Sequence, residues 1–239
     1  MKAIILNSGI GKRMRPFTDK NPKCFAKVNG ETLLERQIRI LTEYGINEFV
    51  ITTGPFESKI KNLIKKKFPK IKVAFVRNPA YESTNYIYSM FLARKLLNDD
   101  ILLMHGDMIF EEKLFGKLIN SEKKDCVLVN NFIKIPEKDF KVKIESGIAI
   151  KIGVDVFGKN AFFLAPVYKM SKKSFKIWMD KIKELVEKGR TNEYAENAFN
   201  EIQSKITLYP LYYQKEACME IDNFDDLALA KKLFANKFK

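Results

Sequence analysis

At 239 residues, 46% hydrophobic and 30% charged, the chain has the balance of an ordinary globular α/β protein with one sizeable core, which excludes a disordered or fibrous one. No apolar run approaches the roughly 20 residues that cross a bilayer, and Cys24, Cys126 and Cys218 lack the spacing of a disulfide framework or zinc cluster, so no membrane partner and a cytoplasmic location are expected. The net charge of +14 suits phosphorylated ligands and leaves nucleic-acid binding open, although Lys65-Lys66-Lys67 reads as the solvated face of a helix whose apolar face carries Ile60, Leu63, Ile64 and Phe68.

In chain order, Lys2 to Asn7 reads as a buried strand rather than a signal peptide. Thr32 to Tyr44 reads as a helix, opened by a capping box between Thr32 and Glu35 and closed by Gly45. A strand at Phe49–Thr53, a helix at Glu57–Phe68 and a strand at Val73–Val76 follow. Ser83 or Thr84 opens a helix to Leu97, and the strand Ile101–Met104 runs into His105-Gly106-Asp107. This alternation predicts parallel pairing with right-handed crossovers. The second half is less regular. Short strands are predicted at Cys126–Val129, Val142–Ile144, Ala149–Ile152 and Phe162–Val167, then helices at Ser171–Lys188 and Tyr194–Gln203, a strand at Leu208–Tyr213 and a last helix at Asp225–Phe238. The expected organisation is one domain over residues 1–239, with a nucleotide-binding half at 1–110 and an acceptor-binding half at 111–239.

The segment after the first strand, Leu6-Asn7-Ser8-Gly9-Ile10-Gly11-Lys12-Arg13, carries most of the chemistry. A dinucleotide fingerprint fails at Met14 and Pro16, and a Walker loop fails because Arg13 stands where Ser or Thr is required. What remains is a glycine loop whose amides can wrap a polyphosphate, with Arg13, Arg15 and Lys23 as fixed counter-charges. An ordinary surface turn would account for the glycines and Pro16, but not for Arg13 together with Lys23.

This segment resembles the sugar nucleotidyltransferase superfamily signature G-x-G-x-R-x-x-P-x-T-x-x-x-P-K, with Gly9, Gly11, Arg13, Pro16, Thr18, Pro22 and Lys23 all in place; Asn7-Ser8 replaces the usual Ala-Ala. The resemblance implies a Rossmann-like, mixed but mostly parallel central sheet flanked by helices. It implies Arg13 and Lys23 as catalytic cations, and Mg²⁺ held by Asp107 and by Asp222 of Glu220-Ile221-Asp222. Read alone, either aspartate serves equally well as a helix cap, and His105 reads as a packed strand-end residue.

Asn78 to Ser89 narrows the likeness to the branch of phosphocholine cytidylyltransferases and relatives acting on aminoethylphosphonate, inositol phosphate or phosphoglutamine. It implies a nucleotide site made from Leu6, Asn7, Ser8, Gly9, Gly11, Asn78, Thr84, Asn85 and Ser89. Tyr194 and Glu196 are candidates for the acceptor, whereas Trp178 falls on a core-spaced helix and supplies no choline box. The expectation is transfer of CMP from CTP to a small phosphate or phosphonate metabolite in capsule or cell-surface polysaccharide biosynthesis, without nucleic acid, and with a homodimer left open. A hexose 1-phosphate uridylyl- or thymidylyltransferase is the enzymatic alternative, and a basic nucleic-acid-binding protein the alternative of another class.

Overall fold

The computed structural model describes residues 1–135 and 137–235. Strands β1 (Lys2–Asn7), β2 (Glu48–Thr53), β3 (Lys72–Arg77) and β4 (Ile101–His105) form a parallel core in the order β3-β2-β1-β4. The crossovers are helices α1 (Leu33–Glu43), α2 (Glu57–Lys67) and α3 (Tyr86–Ala93). Central strands covered on both faces need apolar side chains throughout, which is why Ala3 to Ile5 and Ile101 to Met104 are continuous hydrophobic runs.

Helix α1 begins where its capping box places it. Thr32 Oγ1 accepts the Glu35 amide, the Glu35 carboxylate accepts the Thr32 amide, and Gly45 adopts the left-handed φ of +82° just past the end. Helix α3 starts later than its periodicity predicts. The Asn85 amide is drawn away to the Thr191 carbonyl at 2.9 Å, and the Asn85 side chain caps Tyr86 instead.

The second half adds β5 (Met108–Phe110), α4 (Glu112–Ile119), β6 (Cys126–Asn130), β7 (Lys141–Glu145), β8 (Ile148–Gly153), β9 (Ala161–Met170), α5 (Lys172–Glu187), α6 (Ala195–Asn200), β10 (Tyr209–Tyr213), β11 (Cys218–Glu220) and α7 (Phe224–Phe234). The long strand β9 runs antiparallel to β4, β6 and β7, while β10 joins β6 in parallel, so one mixed sheet of nine strands crosses both halves. One face packs on α3, α5 and α6, and the other on α1, α2 and α4. A smaller cluster joins Met14, Leu33, Ile109, Ile221 and Phe234, tying α7 to the segment after β1. Residues 236–238 of the helix expected to reach Phe238 lie outside the described residues.

Two elements that the periodicity does not reveal shape the carboxyl edge of the sheet. Strands β5 and β11, three residues each, form a separate antiparallel ribbon in which Glu220 lies opposite Met108. The Ile221 amide extends it by donating to the Asp107 carbonyl at 3.0 Å. Among the described residues no helix is long and apolar enough to cross a membrane.

Candidate active site

β1 delivers the chain to the carboxyl edge of the parallel strands, where open α/β sheets bind ligands. The backbone turns at Gly11, whose φ of +70° is left-handed and where an added Cβ would lie 3.2 Å from both Lys23 and Thr18. The Thr18 hydroxyl donates to the Gly11 carbonyl at 2.9 Å and closes the loop, which brings Lys23 back beneath the glycines. Gly106 has a different requirement. A Cβ there would meet Asn7 Oδ1 at 1.8 Å, so only glycine lets the end of β4 pass the Asn7 side chain and present Asp107.

The Lys23 ammonium donates to Asp107 Oδ2 at 2.6 Å and to Asp222 Oδ1 at 2.5 Å, and Arg13 Nη2 meets Asp222 Oδ2 at 2.7 Å. Lys23 and Asp222, separated by 199 positions, thus meet at one point. Burial disfavours charge on Lys23, but the adjoining Asp107 and Asp222 outweigh it and hold the ammonium above its ordinary value. Burial likewise pushes the Asp107 carboxyl up, and Lys23 and then His105 overcome it to hold Asp107 below the usual carboxylate range. Asp107 Oδ1 is buried without a hydrogen-bond partner.

These groups line a cavity of about 510 Å³, a size suited to a small-molecule ligand, together with Leu6, Asn7, Gly9, Gly11 and Asn85. The adjoining wall is aromatic and acidic. The Tyr194 ring stands 5.0 Å from Phe140 and 5.8 Å from Tyr86, centroid to centroid, and Tyr86 lies 4.8 Å from His105. His105 Nδ1 meets Glu220 Oε1 at 3.2 Å, and ligand-type atoms of His105, Asp107 and Glu220 fall within 4.8 Å of one another. Burial raises the Glu220 carboxyl, and His105 only partly offsets it.

Glu196, singled out from the sequence beside Tyr194, does not line this cavity; it is 1% exposed and sits behind the wall. Its carboxylate accepts the hydroxyls of Tyr86 and, at 2.8 Å, Tyr168. The reason is its helical register: Tyr194 caps α6 from outside, while Glu196 lies in the first turn of that helix and faces the core. Trp178 anchors the same segment by donating Nε1–H to the Ala195 carbonyl at 2.8 Å.

Ser8, Asn78, Thr84 and Ser89 line a neighbouring recess of about 170 Å³ that shares Leu6, Asn85 and Tyr86 with the main cavity. The expected nucleotide residues are therefore brought together around two connected spaces. Sequence reasoning did not place Phe140, His105 or Glu220 in the cavity. Glu220 was legible as part of Glu220-Ile221-Asp222, whereas Phe140 follows an irregular stretch with no local signal.

A family model described as MobA-like NTP transferase domain matches residues 3–233. The chain is 32% identical over 148 residues, 60% of its length, to a choline-phosphate cytidylyltransferase of Streptococcus pneumoniae. It is 27% identical over 159 residues, 64% of its length, to a CTP:phosphoglutamine cytidylyltransferase of Campylobacter jejuni. The chain spans 62% of the length of each of these curated relatives. The solved CTP:phosphocholine cytidylyltransferase of Streptococcus pneumoniae superposes with a TM-score of 0.80, covering 98% of both chains at 22% identity, a likeness of fold.

Proposed function

Because the chain belongs to the MobA-like NTP transferase domain family, we propose that it transfers CMP from CTP to a small phosphate or phosphonate metabolite bearing a cationic amine, releasing pyrophosphate. One observation carries this reading. A single cavity sets a cationic glycine loop and paired aspartates beside an aromatic, acidic wall. The two curated relatives from Streptococcus pneumoniae and Campylobacter jejuni, both cytidylyltransferases, support the choice of CTP.

The acceptor's phosphate oxygen is already ionised at neutral pH, so it attacks the α-phosphorus without a general base. A new P–O bond forms, the bond from the α-phosphorus to the bridging oxygen breaks, and that oxygen leaves on pyrophosphate. What the protein must supply is alignment of two mutually repelling anions and neutralisation of their charge. Loop amides from Gly9 to Gly11 hold the polyphosphate, Arg13 neutralises the departing pyrophosphate, and Lys23 follows the α-phosphate, where charge builds in the transition state.

Asp107 and Asp222 suit Mg²⁺. Both reach one ammonium nitrogen at 2.6 and 2.5 Å, and Asp107 keeps a buried, unpartnered oxygen, so a hard divalent cation with phosphate oxygens as its remaining ligands fits the donor set. When bound, that ion supplies charge neutralisation beside the reacting phosphates. On the adjoining wall, Tyr86, Phe140 and Tyr194 offer ring faces to an ammonium group, each worth about 0.5 to 2 kcal/mol, and Glu220 offers it a counter-charge.

The test is a pyrophosphate-release screen crossing the four nucleoside triphosphates with choline phosphate, aminoethylphosphonate, phosphoglutamine, glycerol phosphate and hexose 1-phosphates. Release confined to CTP and an amine-bearing acceptor is expected. Release confined to UTP or dTTP with a hexose 1-phosphate would replace this reading with a sugar nucleotidyltransferase.

A further inference from the structure

The recess beside the main cavity contains a chain of hydrogen bonds whose direction is set by its partners. Asn78 is 2% exposed. Its Oδ1 accepts the Ala80 amide at 2.9 Å, and a backbone N–H can only donate, so the two amide hydrogens of Asn78 must lie on the opposite side. There Nδ2 donates to Thr84 Oγ1 at 3.0 Å and to Ser89 Oγ at 3.1 Å. Thr84 passes its own proton to the Ala80 carbonyl at 2.7 Å, so that branch is closed.

Ser89 is the branch that leads to the ligand. It is 1% exposed, it already accepts from Asn78, and Ser8 Oγ lies 3.0 Å away. Among the described residues Ser89 Oγ donates no hydrogen bond other than the one to Ser8. If Ser89 accepted from Ser8 as well, its own hydrogen would be buried without a partner, which is costly. Ser89 therefore donates to Ser8. Having accepted that proton, Ser8 keeps its own hydrogen for whatever occupies the recess that it lines. Ser8 is itself held in place, because Gly54 packs so closely that a Cβ there would meet the Ser8 carbonyl oxygen at 2.3 Å.

We infer that Asn78, acting through Ser89, makes the Ser8 hydroxyl an obligate hydrogen-bond donor to the nucleotide base and so selects cytosine over uracil. The inference rests on the proposed use of CTP. Cytosine presents a lone pair at N3, whereas uracil presents an N–H at the same position. A hydroxyl free to rotate would serve either base. A hydroxyl polarised from behind meets uracil donor to donor, and buried polar groups left unpaired are the strongest source of discrimination between close analogues. Ser8 contacts the base; Asn78 and Ser89 are positioning residues.

The experiment measures binding of CTP and UTP alone, by calorimetry and by thermal protection, in the wild type and in Ser8→Ala, Ser89→Ala and Asn78→Asp. No acceptor is needed, so the result does not depend on the acceptor's identity. Wild type is expected to favour CTP, and Ser8→Ala and Ser89→Ala to lower the CTP:UTP affinity ratio by about tenfold or more. Asn78→Asp is the directional probe. A carboxylate only accepts, so Ser89 turns its proton toward residue 78, Ser8 donates to Ser89, and the ratio moves toward UTP. A merely structural role would weaken both nucleotides together and leave the ratio alone. If Asn78→Asp does not fold, the two alanine variants still decide.

A wild type that favours CTP with a ratio unchanged in folded Ser8→Ala and Ser89→Ala overturns this inference and leaves the CTP reading standing. A wild type that favours UTP, or that binds neither nucleotide, overturns both.

Discussion

The loop side of the cavity and its aromatic wall are built in different ways. The glycine-loop side draws its backbone and three cations, Lys12, Arg13 and Lys23, from one stretch, residues 9 to 23, closed on itself by the Thr18 to Gly11 bond, and takes its two aspartates from elsewhere. The aromatic wall takes Tyr86 from α3, Phe140 from the segment before β7, Tyr194 from the approach to α6, and Glu220 from β11. A site built on contiguous chain keeps its spacing in the sequence; a site built from four separate segments keeps it only in space. On the proposed reading, the first side serves the part of the reaction common to nucleotidyl transfer, and the second the part that distinguishes one acceptor from another.

The largest effect that sharpens this contrast is expected at the loop side. Lys23→Ala and Asp107→Asn should each lower turnover by about two orders of magnitude or more, measured as pyrophosphate release, with the circular-dichroism spectrum retained. Near-normal turnover in both variants would break the comparison, since the loop side would then lack the chemistry assigned to it.

At the aromatic wall the expected effect is smaller and selective. Tyr194→Ala and Phe140→Ala should raise KM for the amine-bearing acceptor roughly fivefold to tenfold, in line with the loss of one ring face, and leave KM for CTP within about a factor of two. An equal rise in both constants would show that the two sides do not act separately.

Glu196 tests how the aromatic wall is held rather than what it touches. Glu196→Gln removes one of the carboxylate oxygens that accept from Tyr86 and Tyr168, and an unsatisfied buried group costs about 1 to 3 kcal/mol. The thermal midpoint should fall by about 2 to 10 °C, with KM for the acceptor rising as Tyr86 loosens. An unchanged midpoint would mean that the wall is fixed by packing alone.

The smallest effect belongs to a purely local feature, the capping box of α1. Burial pushes the Glu35 carboxyl up, but hydrogen bonds from the Thr32 amide and hydroxyl, with Lys67 beyond, hold it below its ordinary value. A depressed carboxyl contributes stability that is present above the ordinary glutamate value of about 4.3 and is lost as pH falls through the lower folded value. Thermal midpoints measured from neutral pH downward should therefore fall less steeply in Glu35→Gln than in the wild type. Thr32→Ala should cost about 1 kcal/mol at neutral pH.

Much of the parallel core was legible for the same reason as this cap. The continuous apolar runs of β1, β2 and β4 and the Thr32–Glu35 spacing depend on near neighbours. The start of α3 was misplaced because a distant carbonyl, that of Thr191, takes the Asn85 amide. The β5–β11 ribbon was not foreseen, since three-residue strands carry no usable period and their pairing spans more than a hundred positions.

By itself the sequence determined the family, through the glycine loop with Arg13 and Lys23, and the parallel half of the sheet, through its alternating periods. Both are properties of spacing along the chain. Only the tertiary structure decided that Asp107 and Asp222 share one ammonium, that Glu196 turns inward while Glu220 faces the cavity, and that Ser8 ends a directed hydrogen-bond chain. Those outcomes depend on which backbone groups compete for each polar side chain, and the competitors come from segments that meet only after the sheet has formed.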